Sequence, residues 1–539
     1  MIIGMKKILS IVMLCAIAVS AIAMPARRGG VVRTAEDGTE KIVYLHGDAF
    51  SHYMTDKEGN WLNEKSLEPM SEAEKSAAMK AHNEKRRVRR IQQKKMIGTE
   101  PNIAPRGLLI MVNFKNKEFT IPRDTVDSMM NGAHFTRSYR LDYEYTDDYG
   151  DTHRILKEIT SEGSARQYFQ DQSHGQYNPQ FDVVGPYTLS QNYAYYGRND
   201  DANVGYMIKE ACELADADGA DFTLYDNNND GKVDFVYVLY AGEGEADGGD
   251  ANTVWPHNYS LEYSWGISCT VDGKKVANYA CSNEWQHYGQ VYNGIGTFCH
   301  EFSHVLGLPD LYETNNEYSW QGVHTLYDWD ILDYGPYNND GNTPPAYSAY
   351  ERFFMGWITP RVLKDPENVT LHLLNETGEA LLMCDGDAHN LVGYDPDPKT
   401  FYLLEARTRT GWDKYLPGRG MLITKIQYDA TDWEYNQVNN SKTKMGVDLI
   451  EARKNTSTSS SYYDAFPAGS KNYYGFEGHD IEKITRLNDG SITFLYNGGW
   501  AEGIENVQPS EVSYQKVLRG GKVVIIREGK EYDILGNRL

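Results

Sequence analysis

Residues 293–310, NGIGTFCHEFSHVLGLPD, predict a metal-binding helix that ends in a sharp turn. His300 and His304 are four positions apart, so on a helix both side chains lie on one face and can bind the same ion. Gly307 can supply the tight backbone turn that ends such a helix. Because the chain then doubles back, we predict Asp310 as the third ligand.

The same pattern indicates a catalytic rather than a structural metal site. Three protein ligands leave one position of a tetrahedral zinc ion (Zn2+) open for water. Glu301 follows the first histidine and is placed to accept a proton from that water, so we predict it to be the general base. These residues favour hydrolysis of peptide bonds in protein or peptide substrates.

Length and charge limit the architecture and the partners. A chain of 539 residues is expected to form two or three domains. The formal net charge of −23 argues against nucleic acid or an anionic membrane as the main partner. We expect the protein to be a monomer.

The first residues have the pattern of a secretory signal peptide. Lysines at positions 6 and 7 precede an apolar run over 8–22, and the small residues Ala21 and Ala23 form a cleavage site before Met24. An apolar run of about 15 residues is short for a membrane span. We therefore predict a signal peptide over 1–23, and a secreted or cell-surface protein with no membrane span in its mature form.

Residues 24–103 are predicted to be a propeptide. The motif GDAFSHY at 47–53 and the turn after it indicate two short strands, and a charged helix is expected from Ser71 to Lys95. The end of this helix, 85–95, is dense in basic residues. Such a segment suits cleavage of an exported precursor, and a solvated helix face is the alternative.

Cysteine usage bears on both redox state and latency. Five cysteines remain after position 23, and an odd number leaves at least one free thiol. Cys269 and Cys281 could close a small loop, but most, including Cys299, are expected to be buried small side chains. Since 24–103 contains no cysteine to occupy a zinc ion, inhibition must be steric or use a carboxylate or histidine. The candidates are His46, Asp48 and His52.

Two further regions follow the propeptide, and a short module ends the chain. Strands and helices alternate over 104–360, which indicates an α/β or α+β domain; strands are expected at 107–114, 182–185 and 235–240, and helices at 164–175 and 205–217. Short alternating runs at 369–374, 401–405, 421–426 and 491–496 predict a β-sandwich-like domain over 361–502. A small hairpin module that resembles bacterial sorting tails is expected over 503–539. The predicted fold class is α+β, with an active-site helix in the catalytic domain and a β-rich domain after it.

Five motifs carry a resemblance to a known family. They are HEFSHVLGLPD at 300–310, extended to LPDLY at 308–312, SHGQY at 173–177, WPH at 255–257, GWDKYLPG at 411–418 and the N-terminal GDAFSHY. Together they resemble the immune inhibitor A-like family of secreted zinc metallopeptidases, of the metzincin-like clan. The resemblance extends over most of the chain and implies a metzincin-like fold and a zinc endopeptidase made as a secreted zymogen.

One position departs from the pattern of the clan. The clan carries a methionine turn beneath the zinc, and the matching segment, WDILDYG at 329–335, has Leu332 in the place of methionine. The two side chains have similar volumes, so the packing is expected to survive. The resemblance also implies that Tyr334 stabilises the tetrahedral intermediate, with a packing tyrosine as the alternative.

A second candidate metal site is the acidic loop DNNNDGKVD at 226–234. Its candidate calcium (Ca2+) ligands are Asp226, Asn228, Asp230 and Asp234. Their spacing matches the first part of a calcium loop, but Tyr237 stands where an EF-hand has its bidentate glutamate. An Asn-Asp-Gly turn before a strand explains the same residues without an ion.

Two other interpretations remain open. A thermolysin-like site would take its third ligand from a later helix, for example Glu351, although the short return from Gly307 to Asp310 disfavours it. A catalytically inactive, calcium-dependent adhesin would use the β-rich half to bind glycan or host protein. The intact Glu301 between two ligands argues against that interpretation.

Overall fold

The computed structural model describes residues 22–539 except for 28, 36, 49–50, 82–105, 147–151, 287–290, 315–323, 442, 455–459, 477, 500–513, 520–521, 528–529 and 533–537. The apolar run of the predicted signal peptide, up to residue 21, and the basic segment 85–95 therefore lie outside the described residues. Within the described part, no helix combines the length and apolar character needed to cross a membrane.

The N-terminal region forms a small sheet and one helix. Its elements are β1 (Ile22–Ala23), β2 (Gly30–Thr34), β3 (Glu40–Asp48), β4 (Ser51–Thr55) and a helix α1 over 72–81. Strands β2, β3 and β4 form an antiparallel sheet in that order. Two strands exist near the predicted positions 47–59, but β3 ends at Asp48 and β4 begins at Ser51, so the break between them falls within the GDAFSHY motif.

The next region is built on a mixed sheet. Its strands are β5 (Arg106–Asn113), β6 (Thr136–Thr146), β7 (Thr152–Glu162), β8 (Gln180–Thr188), β9 (Lys232–Val233), β10 (Val236–Glu243), β11 (His257–Ser260), β12 (Thr270–Val271), β13 (Lys274–Val276), β14 (Asn278–Gln286) and β15 (Val291–Tyr292). Its helices are α2 (Arg123–Asn131), α3 (Ala165–Gln172), α4 (Tyr193–Asp201), α5 (Val204–Ala217), α6 (Leu261–Trp265), α7 (Gly296–Val305) and α8 (Ala349–Phe354). The strands and helices predicted between 104 and 217 are thus confirmed within a few residues.

The central sheet has the order β1-β11-β14-β10-β5-β8, with β15 paired to β14. Strands β14, β10, β5 and β8 are parallel, whereas β11 runs antiparallel to β14. β5 is a continuous apolar run because both faces of the sheet are covered. Leu109 and Met111 pack on the face that carries α3 and α7, and Leu108 and Ile110 pack on the face that carries α5.

The C-terminal half is mostly strands, as predicted. It contains β16 (Arg361–Val362), β17 (Glu367–Leu371), α9 (Leu374–Thr377), β18 (Leu381–Met383), β19 (Thr400–Arg407), β20 (Gly420–Gln427), α10 (Ala430–Glu434), β21 (Val447–Leu449), β22 (Tyr474–Phe476), β23 (His479–Arg486) and β24 (Ile492–Tyr496). One sheet has the order β16-β18-β19-β20-β21 and the other β17-β24-β23-β22. Residues of both sheets, such as Leu404 and Phe494, share one hydrophobic cluster.

The last strands, β25 (Tyr514–Arg519), β26 (Lys522–Arg527) and β27 (Lys530–Tyr532), form a separate three-stranded antiparallel sheet. The chain thus contains both helices and strands, as an α+β class requires. All five cysteines after position 23, at positions 212, 269, 281, 299 and 384, are free and buried. The disulfide that Cys269 and Cys281 could have formed is therefore not present.

Candidate metal centre and active site

Helix α7 carries the first two candidate ligands against the central sheet. All ten of its residues are buried. Phe298 and Phe302 pack on the sheet, with their ring centroids 4.7 Å from Tyr237 and 4.8 Å from Phe235 respectively. This apolar contact fixes the rotation of the helix, so the opposite face, with His300 and His304, is turned away from the sheet.

Each histidine is oriented through its Nδ1 atom. Nδ1 of His300 lies 2.7 Å from the backbone oxygen of Ile331, and Nδ1 of His304 lies 2.8 Å from that of Leu308. A carbonyl only accepts, so both Nδ1 atoms carry the proton and both Nε2 atoms present a lone pair. Burial and the neighbouring His304 lower the pKa of His300, which favours the neutral form that binds a metal.

Asp310 reaches the histidines because the helix stops sharply. Gly307 has φ of +95°, a left-handed conformation that glycine adopts without strain, and its N–H donates to the oxygen of His304. Oδ1 of Asp310 then lies 3.4 Å from Nε2 of each histidine. Although burial opposes ionisation, the two histidines lower the pKa of Asp310 to about 2 when they carry a proton on Nε2.

The three donor atoms have the spacing of a zinc site. The two Nε2 atoms are 3.1 Å apart, and each is 3.4 Å from Oδ1 of Asp310. In a tetrahedral site with bonds of about 2.0–2.1 Å, neighbouring ligand atoms are about 3.3–3.4 Å apart. Two imidazole lone pairs and a carboxylate oxygen that converge at this distance repel one another, and a cation between them removes the repulsion. The residues present therefore fit the metal that the sequence predicts, and within the described residues they form the one cluster of this kind.

Asn436 holds Asp310 from the β-rich half of the chain. Its Nδ2 donates to Oδ2 of Asp310 at 2.6 Å, and its Oδ1 accepts the backbone N–H of Asp310 at 2.7 Å. Oδ1 of Asp310 is thereby left to face the histidines. No motif marks Asn436, and sequence reasoning missed it.

Glu301 is fully buried beside the ligands. Neither of its carboxylate oxygens makes a hydrogen bond of good geometry among the described residues. Burial raises the pKa of Glu301 well above its ordinary value, Asp310 adds to the increase, and the nearby backbone N–H of Met24 offsets part of it. A buried carboxylate without partners is costly to the fold, which indicates a functional role.

The segment 22–27 lies across this site, which sequence reasoning did not anticipate. β1 pairs antiparallel with the edge strand β11. The carbonyl of Met24 accepts a bond of 3.1 Å from the indole of Trp255, and the carbonyl of Pro25 accepts one of 2.8 Å from the hydroxyl of Tyr337. Trp255 belongs to the WPH motif, so that motif binds an extended chain beside Glu301.

Arg27 fixes the far end of this segment. Its guanidinium donates to Oε1 of Gln286 at 2.7 Å and to Oδ1 of Asp340 at 2.9 Å. Met24 and Ala26 are only 1% and 3% exposed, so the segment is embedded in the protein rather than laid on its surface.

The remaining site predictions have different outcomes. Leu332 is fully buried in the same cluster as Phe302, and its carbonyl accepts the N–H of Leu311, close to the third ligand. The ring of Tyr334 lies 6.0–6.5 Å from those of Tyr327 and Tyr312. Its catalytic role stays a prediction.

Glu351, the ligand of the thermolysin-like alternative, has a different task. It is the third residue of α8 and forms a capping box with Ser348, whose N–H it accepts at 2.5 Å. It does not belong to the cluster of donor atoms around His300. The structure therefore favours Asp310 as the third ligand.

The candidate calcium loop has internal partners for its oxygens. Asp226 accepts the N–H groups of Asp230 and Gly231, and its carboxylate pairs with the ammonium of Lys274 at 2.6 Å. Asp234 accepts the backbone and side-chain amides of Asn227. These contacts account for the loop as a turn, and calcium binding stays a prediction.

The candidate inhibitory histidines are not part of the cluster of proposed metal ligands. His46 contacts Thr55, and burial lowers its pKa to about 4. His52 stacks on Trp255 and lies 3.4 Å from Glu245. Neither belongs to the metal-ligand cluster, and the side chain of Asp48 lies outside the described residues.

The site combines two histidines one helical turn apart, a carboxylate brought back by a glycine turn and a buried glutamate beside them. This is the arrangement of a metallopeptidase. Comparisons with known proteins agree. Residues 103–358 match the sequence model described as immune inhibitor A peptidase M6, catalytic domain. This part of the chain is similar to the catalytic domain of the immune inhibitor A family, and the resemblance predicted from its motifs is confirmed.

Two kinds of relative illustrate the relationship. The chain is 29% identical over 219 residues to the pre-pro-metalloprotease PrtV of Vibrio cholerae, a match covering 36% of this chain and 23% of that protein. It is 25% identical over 240 residues to immune inhibitor A of Bacillus thuringiensis subsp. alesti, covering 38% and 34% of the two chains. The matched part is therefore about a quarter to a third of the length of these relatives.

Proposed function

We propose that the protein is a zinc-dependent endopeptidase whose ligands are His300, His304 and Asp310. The observation that carries the proposal is the triangle of donor atoms, with sides of 3.1, 3.4 and 3.4 Å, next to a buried glutamate whose oxygens make no hydrogen bond of good geometry in the described part of the chain. The metalloprotease relatives support the same chemistry.

Glu301 is the proposed general base. Zinc bound at this site would supply a Lewis acid and water of lowered pKa. The carboxylate of Glu301 would accept a proton from the attacking water and pass it to the leaving amine. Its buried position beside the proposed ligands supports this role, because a general base must lie within reach of the proton that it accepts. Tyr334 is the proposed helper at the oxyanion.

An endopeptidase needs a site that is open at both ends. The segment 22–27 runs past Glu301, with the β1 pairing on one side of Met24 and the Arg27 contacts on the other. This path supports a groove that accepts a chain in its middle rather than a pocket for a chain end.

We also propose that the protein is made as an exported zymogen and acts as a monomer. Occupancy of the groove by 24–27, which remain after removal of the predicted signal peptide, supports steric inhibition, and one relative is named a pre-pro-metalloprotease. Cleavage within 82–105 would separate β2, β3 and β4 from the catalytic domain. The same proposal includes the domain limits at 24–103, 104–360, 361–502 and 503–539. It also includes the metzincin-like fold, the β-sandwich-like fold and the calcium loop.

Metal content and proteolysis test this function together. The purified full chain, activated by limited proteolysis, should contain one zinc per molecule and should digest casein. Removal of metal by a chelator should abolish digestion, and added zinc should restore it. A zinc-loaded, activated protein that leaves casein intact would contradict the proposal.

A further inference from the structure

A basic pocket lies at one end of the β-rich half. It has a volume of about 830 Å3 and is lined by Arg409, Lys414, Arg419, Arg486, Tyr462 and Tyr463, together with glycine, alanine and proline positions and no acidic side chain. We call this the basic pocket. Four cations around one cavity are notable in a chain whose net charge is −23.

Two of the three arginines of the basic pocket donate to backbone carbonyls rather than to carboxylates. Nη1 of Arg486 donates to the carbonyl of Arg419 at 3.3 Å, and Nε of Arg409 donates to the carbonyl of Lys414 at 3.3 Å. Among the described residues, no carboxylate forms an ion pair with any of the three arginines. Burial and the like charge of Arg419 lower the pKa of Arg486, as expected where cations face one another without compensation.

Two tyrosines form one wall of the basic pocket. The rings of Tyr462 and Tyr463 are 3.8 Å apart, and Tyr462 is 59% exposed. The guanidinium of Arg453 lies 4.5 Å from the ring of Tyr463, which adds a fifth cation at the rim. The wall therefore offers aromatic surface and hydroxyl groups together with positive charge.

The basic pocket is fastened to the peptidase domain. The indole of Trp412 donates to Asp171 at 2.8 Å, and Lys414 lies 3.4 Å from Glu162. Gly418 packs against Trp329, so little room exists there for a side chain. A ligand in the basic pocket is thus held at a fixed position relative to α7.

We propose that the basic pocket is an exosite that binds an acidic segment of a protein substrate away from the bond that is cleaved. Guanidinium groups recognise carboxylates through paired hydrogen bonds, and the tyrosines can pack on the stems of glutamate side chains. The cavity volume falls within the range of about 300–1,000 Å3 that is usual for ligand sites. The inference rests on the proposed function, because a polypeptide is the ligand that a peptidase domain presents to a neighbouring pocket.

The test compares two peptides with the same cleavable sequence, one with a glutamate tail and one with a glutamine tail of equal length. The activated full chain should show a KM roughly tenfold lower for the glutamate tail, from a few exposed ion pairs. Raising the salt well above about 0.1 M should remove the difference, since exposed charges are screened. A triple variant, Arg409→Gln, Arg419→Gln and Arg486→Gln, should lose the preference and still cleave the glutamine-tailed peptide normally.

Two control variants separate the pocket from overall charge and from misfolding. Lys209→Gln, Lys232→Gln and Lys275→Gln together remove three exposed cations of the peptidase domain and should keep the preference. Lysine in place of the three arginines should retain a good part of it. Equal cleavage of both peptides by the native chain, or a preference that persists in the glutamine variant, would overturn the exosite.

Binding distinguishes failure of the exosite from failure of the proposed function. If neither peptide is cleaved, the proposed function fails. Fluorescence anisotropy of the labelled glutamate tail alone still measures the pocket in that case. Binding of dextran sulfate through the same arginines, with no binding of the glutamate tail, would show a polysaccharide site and contradict the proposal.

Discussion

The side-chain amide of Asn436 forms two hydrogen bonds with Asp310. Its nitrogen lies 2.6 Å from the carboxylate of Asp310, and its oxygen lies 2.7 Å from the backbone nitrogen of Asp310. The two residues are 126 positions apart in the chain. A residue of the β-rich half therefore orients a proposed metal ligand of the peptidase domain, as outer partners commonly do in metal sites.

Replacing Asn436 by alanine is expected to weaken zinc binding and peptidase activity by about 10–100-fold, the usual cost of losing such a partner. Competition with a chromogenic chelator measures the affinity. Asn440→Ala is the matched control. Asn440 lies in the same loop as Asn436 and forms hydrogen bonds with Thr314, but it does not contact a proposed metal ligand. Equal losses in both variants would mean that the loop, rather than the grip on Asp310, matters.

Glu301→Gln should keep zinc and lower kcat by about 10²–10⁴-fold, because glutamine has the same shape but cannot accept the proton. Metal analysis and peptide hydrolysis on the same sample check both parts. Glu284→Gln changes another buried glutamate, one that accepts N–H groups of residues 120 and 121, and should leave the metal in place. A fully active Glu301→Gln protein would refute the role.

Zinc should stabilise the fold, because it binds the folded site and not the unfolded chain. At a thousandfold excess over its Kd the increase in the free energy of unfolding is about 4 kcal/mol. Thermal unfolding with chelator and with zinc measures it. Asp310→Ala should lose bound zinc and with it the zinc-dependent shift in Tm; an undiminished shift would place the ion elsewhere.

Leu332→Met should change the free energy of unfolding by less than about 1.5 kcal/mol and leave activity intact, since the volumes are similar. Leu332→Ala, which removes buried methyl groups, should cost about 2–5 kcal/mol. Urea unfolding of the three proteins provides the comparison. A large gain in kcat for the methionine variant would show that the leucine impairs catalysis.

Asp247 predicts a pH dependence of stability. Burial raises its pKa to about 6 from an ordinary value of 3.8, with Arg27 and Asn283 opposing the increase. The folded protein thus holds this proton more tightly than the unfolded chain, and the resulting stability is complete below about pH 4 and is lost as the pH rises through about 6.

Asp247→Asn stays neutral and should escape that loss. Relative to the native chain, its free energy of unfolding should rise by about 3 kcal/mol between about pH 4 and about pH 8. Urea unfolding at both pH values gives the difference. Asp395→Asn, at an exposed position, should show little of this trend.

The local part of the site was predictable, because it depends on neighbours in sequence. The spacing of His300 and His304 fixes their common face, and the left-handed turn at Gly307 brings Asp310 back within a few residues. The apolar run of β5 likewise revealed a strand covered on both faces.

The distant part was not predictable, because its partners are joined only by tertiary folding. Nothing in the sequence around Asn436 distinguishes it from the other asparagines of that loop, and its role follows from where α10 ends. The pairing of β1 with β11 could not be predicted for a related reason. Positions 22 and 23 lie at the end of the apolar segment that fits a signal peptide equally well.

The hydrogen bonds between Asn436 and Asp310 also imply an order in which parts of the site form during synthesis. A ribosome that has completed the peptidase domain has made all three proposed zinc ligands and the proposed general base, but it has not yet made Asn436, which orients Asp310. The full geometry of the candidate metal site can form only after strands β19 and β20 and the loop that follows them have been made and have docked. Until then, an unfinished chain presents Asp310 without the partner that orients its carboxylate.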